Sequence, residues 1–300
     1  MNASLSHQSA EQGVAQLAET YLAELEHAGR SAHTLRAYRS ELTRLAAFHS
    51  AAVATLDVAA LRRFLTTRAG LSAASRARTH AALAGFLGWC YRNEHIDADP
   101  IARIQRVRVA PPAPRGLAEG QVQKILDVIP RARERDRLLF TLIASTGLRA
   151  GEALGIHVED LDLRTDDEHL SVLGKGERRR TVLLDDPRLV AMLRRYLNHT
   201  GYRHGPLFRA QKNGRGGPLS YQSIQRSWAS YCATAGVSAT LHQLRHTHAT
   251  ELVNDGVSLA TIRKRLGHKN LQTTLRYAEQ TDATADAELR RWRRHKTSRR

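Results

Sequence analysis

Residues 102–116 divide this chain. Pro111, Pro112 and Pro114 crowd into four positions, just after Arg103, Arg106 and Arg108. Proline lacks a backbone N–H and holds φ at about −65°, so neither a helix nor a central strand runs through such a stretch. A spacer this rich in proline stays extended and stiff. The residues on either side must therefore bury their apolar surface separately, 11–101 before the break and 117–282 after it, with a tail at 283–300. A chain of 300 residues, 42% of them hydrophobic, is long enough for two such cores. The arginines of the break suit a basic strap laid along a phosphate backbone. A plain exposed linker matches the same residue types equally well.

The first segment reads as four helices. Ser31 is placed to cap one of them, its hydroxyl accepting from a free N–H of the first turn. Behind it Leu35, Tyr38, Leu42, Leu45 and Phe48 recur at three- and four-residue spacing, which makes one apolar face. Arg36, Arg39 and Arg44 lie mostly off that face. Further helices start near Asp57 and Ser72, and Asp99-Pro100 ends the run. The second segment is mixed. Helices are predicted at about 118–129, 132–145, 186–198, 220–235, 242–254, 258–266, 271–277 and 283–296. Two β-rich runs, His169–Leu173 and Arg180–Leu184, flank Gly174-Lys175-Gly176 and predict a hairpin. The fold class is mainly α with a small β-sheet.

Charge narrows the partner. There are 46 Lys and Arg against 29 Asp and Glu, a net +17. Residues 1–110 carry a net +4 and residues 111–300 a net +13, so the second part is the stronger candidate for close phosphate contact. A balance this basic favours a polyanion, and nucleic acid above others. No apolar run is long enough to span a membrane, and Met1–Ala10 lacks the apolar segment of a signal peptide. Cys90 and Cys232 are the only cysteines, too few for a disulfide framework or a cysteine zinc site. A reducing cytoplasm is the expected setting.

The chemistry concentrates late in the chain. Arg149 follows Thr146-Gly147 and opens a helix, where its guanidinium can fork onto two phosphate oxygens. Arg245 can do the same, and His242 lies on its helix three residues before it, with His246 four residues after His242. Lys175 at the hairpin tip can reach a leaving oxygen with a proton. On spacing alone it reads as a turn lysine chosen for solubility. Tyr277 carries a phenol that a positive field can activate as a nucleophile, although half-buried core packing is the commoner fate of a tyrosine. His242, His246, His248 and His268 lack metal-ligand spacing. There is no P-loop, no dinucleotide loop and no cluster of carboxylates for two metals. No metal and no cofactor are expected.

Taken together, these motifs resemble those of the tyrosine recombinase (phage integrase) family. Thr146-Gly147-Leu148-Arg149-Ala150-Gly151-Glu152 is similar to its first arginine motif and Gly174-Lys175-Gly176 to its hairpin lysine motif. His242-Gln243-Leu244-Arg245 resembles its His-x-x-Arg motif, and Leu266-Gly267-His268 through Tyr277 the segment that carries the nucleophile. The resemblance implies a helical core-binding (SAM-like) domain over 11–101 and an α+β catalytic domain over 117–282. It implies catalytic roles for Arg149, Lys175, His242, Arg245, His268 and the nucleophile Tyr277, with Glu152 supporting them from behind. Arg36, Arg39, Arg106 and Arg108 are expected to touch DNA. Cleavage would proceed through a 3′-phosphotyrosyl link without metal or ATP, in a tetramer on two sites, with residues 283–292 docking on a neighbouring protomer. Because the helical segment begins almost at once, it leaves no room for a domain that binds arm sites, so short core sites are expected. Integration, excision, transposition and dimer resolution all stay open, as does the need for a partner recombinase or an accessory protein. A type IB topoisomerase, which shares this chemistry, fits less well with the helical first segment and the C-terminal helix. A non-catalytic DNA-binding protein has no use for six such positions.

Overall fold

A computed structural model describes residues 12–109, 116–174, 179–210, 216–267, 290 and 292–294. The chain is mostly helical with one small antiparallel sheet, and it divides into two compact units, Met1–Pro111 and Pro112–Arg300.

In the first unit, α1 (Val14–His27), α2 (Ala32–Phe48), α3 (Val58–Thr66) and α4 (Ala73–Arg92) follow in order. Each of the last three starts at a side-chain cap: Ser31, Asp57 and Ser72 accept from the backbone N–H three residues on. Such a cap stabilises a helix by about 1 kcal/mol. Leu42 and Leu45 of α2 are buried as their spacing predicts, and they meet Leu61 and Phe64 of α3 and Leu83, Phe86 and Leu87 of α4 in one core. Tyr21, Phe86 and Trp89 pack as tilted and stacked rings with centroids 5.7–6.4 Å apart. The indole N–H of Trp89 donates to Glu24 at 2.6 Å, so its one polar atom stays satisfied at the edge of the core. After Asp99, a 3-10 turn at Pro100–Arg103 ends the helical run.

The second unit is built around α6. In chain order it holds α5 (Gln121–Asp127), α6 (Glu134–Thr146), α7 (Ala150–Leu154), β1 (Leu161–Asp162), β2 (His169–Leu173), β3 (Arg179–Leu183), α8 (Pro187–Thr200), α9 (Tyr221–Ala235), α10 (Leu241–Asn254) and α11 (Leu259–Leu266). Leu138, Leu139, Phe140, Leu142 and Ile143 of α6 are all buried. A helix apolar on every side belongs in the middle, and α6 packs against both α8 and α10. Near its start Asp136 is also buried, and it is held by Arg135 at 2.6 Å and by the Tyr231 hydroxyl at 2.9 Å. The hairpin is present, with His169 opposite Leu183 and Leu173 opposite Arg179. The short edge strand β1 was not anticipated, because two residues are too few to show alternation, and it makes the sheet three-stranded. The expected helices at 271–277 and 283–296 lie outside the described residues, apart from 290 and 292–294, which are helical.

Candidate active site

The site grows from the ends of α6, α10 and α11. Helix α6 stops at Gly147, whose φ of +66° is a left-handed conformation that suits glycine. A side chain there has no room: a Cβ would lie 2.5 Å from Leu266 Cδ2 and 2.7 Å from His248 Cδ2. Gly147→Ala is therefore expected to lose about 2–5 kcal/mol of stability in urea unfolding, from left-handed strain plus overpacking. A loss below about 1 kcal/mol would show that this turn relaxes freely.

Two residues past that turn, Arg149 takes the N-cap position of α7 and Glu152 the third position of the helix. The Glu152 carboxylate accepts from the Arg149 backbone N–H at 2.9 Å and from Arg149 Nη1 at 2.8 Å. Arg180 on β3 adds a two-pronged pair, Nη1 at 3.1 Å and Nη2 at 2.9 Å. Arg245 Nη1 stands 4.0 Å from the same carboxylate. Burial alone would raise the pKa of Glu152. The Arg180 hydrogen bonds, the Arg149 N–H and the two guanidinium charges outweigh it and hold the carboxyl at about 2. Glu152 is thus an ionised hub that gathers three arginines from separate parts of the chain.

Arg245 is 2% exposed, an extreme burial for a guanidinium. It donates to the Gly147 carbonyl at 2.7 Å and to the Leu266 carbonyl at 2.8 Å, joining the end of α6 to the end of α11. Arg149 differs, since its side chain is 42% exposed and its cation faces solvent. His242 and His246 sit one turn apart on α10, with ring centroids 4.4 Å apart and planes nearly perpendicular. Desolvation, then Arg245 and Arg149, lower the His242 pKa. Desolvation, His242 and Arg245 push His246 down to about 4. Burial and the neighbouring cations thus favour the neutral form of both rings.

Two arginines escaped the sequence reading as site residues. Arg180 shares the inner face of β3 with buried Val182, and an arginine on that face needs an anion. Arg265 lies three residues after buried Ile262 and so also points inward. Its guanidinium donates to His248 Nε2 at 3.0 Å, to the Ser145 carbonyl at 2.9 Å and to Asp185 at 2.7 Å. Its own carbonyl accepts from Arg180 Nε at 3.4 Å. The end of α11 is thereby tied to α6, α10 and β3. Gly267, at φ +66°, completes this packing, because a Cβ there would lie 2.9 Å from Arg180 Nε. A charged residue at a core-facing helix position was the available signal for Arg265.

Of the expected positions, the structure brings Arg149, Glu152, His242 and Arg245 together. Lys175, His268 and Tyr277 lie outside the described residues. In the first unit Arg36, Arg106 and Arg108 are exposed. Arg39 is exposed too but already pairs with Glu19 at 2.5 Å.

Comparison with known proteins matches this architecture. Residues 115–284 match the phage integrase family, and residues 18–94 match the phage integrase N-terminal SAM-like domain. The chain is 35% identical over 278 residues to tyrosine recombinase XerC of Rhodospirillum centenum, covering 85% of this chain and 80% of that protein. The fold is similar to XerH site-specific recombinase bound to a palindromic difH substrate in a post-cleavage complex, with TM-score 0.72, 25% identity and coverage of 86% and 80%. It is also similar to a lambda integrase tetramer bound to a Holliday junction, with TM-score 0.69, 20% identity and coverage of 85% and 77%, a likeness of fold alone.

Proposed function

This chain belongs to the phage integrase family and is a site-specific tyrosine recombinase that cleaves and rejoins DNA, and from that premise we propose that Tyr277 is its nucleophile. The phenolate oxygen of Tyr277 attacks the scissile phosphorus, and the bond from phosphorus to the 5′ oxygen breaks. A 3′-phosphotyrosyl link and a free 5′-hydroxyl result, the hydroxyl taking its proton from Lys175. Arg149 and Arg245 carry the extra negative charge of the pentacovalent phosphorus. His242 moves the tyrosine proton, and His268 hydrogen-bonds a non-bridging oxygen. Rejoining reverses these steps. The bond energy stays in the phosphotyrosine, so the reaction needs neither metal nor ATP.

The observation that carries this reading is the Glu152 hub. It sets a half-exposed cation, Arg149, beside a buried one, Arg245, with His242 close enough for both to lower its pKa. Fixed charge held in advance of the reaction is the largest contribution in many phosphoryl and acyl transfers. Double-stranded DNA is the partner, gripped by a core-binding domain at 11–101 and a catalytic domain at 117–282, with Arg36, Arg39, Arg106 and Arg108 on its phosphates. Four protomers act on two sites, residues 283–292 docking on a neighbour.

The test uses nicked duplexes tiled across the DNA flanking this gene, incubated with wild-type protein and Tyr277→Phe. The expected result is an SDS-resistant 3′-linked adduct on one duplex, absent from the variant. An adduct that survives Tyr277→Phe would overturn the assignment, and adducts on every duplex alike would point to topoisomerase action.

A further inference from the structure

Arg265, at the end of α11, has a side chain only 12% exposed. Each of its guanidinium nitrogens meets an acceptor: Nε meets His248 Nε2 at 3.0 Å, Nη2 meets the Ser145 carbonyl at 2.9 Å and Asp185 at 2.7 Å, and Nη1 meets the Leu183 carbonyl at 3.4 Å. His248 accepts from a group that can only donate, so its ring is neutral and carries its proton on Nδ1. Burial and the Arg265 charge agree with that state and push the His248 pKa down to about 4. These contacts bear on Arg245, whose carbonyl acceptors are Gly147 and Leu266. Ser145 lies two residues before Gly147, and Leu266 directly follows Arg265. One side chain therefore spans the two turns that hold Arg245. Each turn closes on a left-handed glycine, Gly147 or Gly267, both at φ +66°, so neither is braced by a continuing helix. The Arg265 carbonyl serves the same cluster, since it accepts from Arg180 Nε at 3.4 Å and Arg180 grips Glu152. A leucine would bury this position without desolvating a charge, so packing alone does not call for arginine here.

We propose that Arg265 is a positioning residue for DNA cleavage, fixing the separation of the Gly147 and Leu266 carbonyls so that the Arg245 guanidinium stays aimed at the scissile phosphate. The inference rests on the recombinase reading and on the role of Arg245 within it. Arg265 acts through Arg245 and not on the substrate, because its donors are engaged by protein acceptors. A planar fork with three nitrogens can bridge α6, α10 and the end of β3 at once, which a single ammonium cannot.

The test uses Arg265→Leu and Arg265→Lys in the full chain, with Arg265→Leu also combined with Arg245→Lys. All are assayed at a temperature where circular dichroism shows each variant fully folded. For Arg265→Leu, covalent adduct formation at saturating duplex is expected to slow about 10–100-fold, since a misplacement of about 1 Å can cost on the order of 10²-fold in rate. Equilibrium binding of the duplex should stay within a few-fold. Arg265→Lys should recover part of the rate, because it can still hold Asp185 and the Ser145 carbonyl. Placed on Arg245→Lys, Arg265→Leu should slow the reaction by less than about threefold more, because residues that act through one another are not additive. Without DNA, the Arg245 side-chain N–H protons, identified by their absence from the Arg245→Lys spectrum, should lose their slow exchange with solvent in Arg265→Leu. Losses that multiply in the double variant would overturn the proposal. A lowered melting temperature with an unchanged cleavage rate would make Arg265 structural only, and would overturn it too. Unchanged Arg245 exchange would overturn it with no DNA present. That failure is distinct from failure of the recombinase reading, which a wild-type protein forming no adduct would show.

Discussion

Glu152→Gln is expected to lose about 3–5 kcal/mol of folding stability at pH 7, the range for breaking a buried ion pair from one side. The carboxylate is 7% exposed and accepts from Arg149 and Arg180, with Arg245 at 4.0 Å. An amide offers one acceptor and turns two donors towards guanidinium groups that are themselves only donors. Three cations would then face one another around a neutral group. The effect has a pH signature. The folded carboxyl sits at about 2 against an ordinary value of 4.5. Its contribution is complete above about pH 4.5 and is lost as pH falls from there towards 2. By linkage this window is worth about 3 kcal/mol. Urea unfolding of both proteins at pH 7 and pH 3 measures it. The gap between wild type and variant should narrow at the lower pH, and a variant within about 1 kcal/mol of wild type at pH 7 would show that the hub does not act as a unit.

Arg245→Lys is expected to slow covalent adduct formation by about 10²–10³-fold while DNA binding stays within a few-fold, the cost of losing one preorganised donor to the transition state. Lysine keeps the charge but has one nitrogen. It cannot hold the Gly147 and Leu266 carbonyls with separate nitrogens and also offer a donor towards the scissile phosphate. The geometry of the end of α6 and the end of α11 would loosen together. Quenched time courses on the adduct-forming duplex, run beside equilibrium binding, separate the two effects. Cleavage near the wild-type rate would remove Arg245 from the chemistry. An equal loss in binding and cleavage would mean that it only holds DNA.

The helices were legible in the sequence because each announces itself locally. Ser31, Asp57 and Ser72 cap as their side chains predict, and Leu42 and Leu45 are buried as their spacing predicts. The hairpin was legible from β-rich runs around Gly174, and the two-residue β1 was not. Arg149, Glu152, His242 and Arg245 were legible as a set because their motifs come in an order and spacing that few chains share.

What the sequence determined by itself is the set of faces, caps and breaks, since these depend on residues within a turn or two of one another: two units on either side of a proline-rich spacer, mainly helical, with a basic second part. What only the tertiary structure decided is which charges meet. Glu152 joins Arg149, Arg180 and Arg245, and Arg265 ties α11 to α6 and β3. No local spacing encodes those pairings. Coulomb attraction acts through space and strengthens as water is excluded, so a surface arginine and a buried hub read alike in the sequence until packing removes the solvent between them.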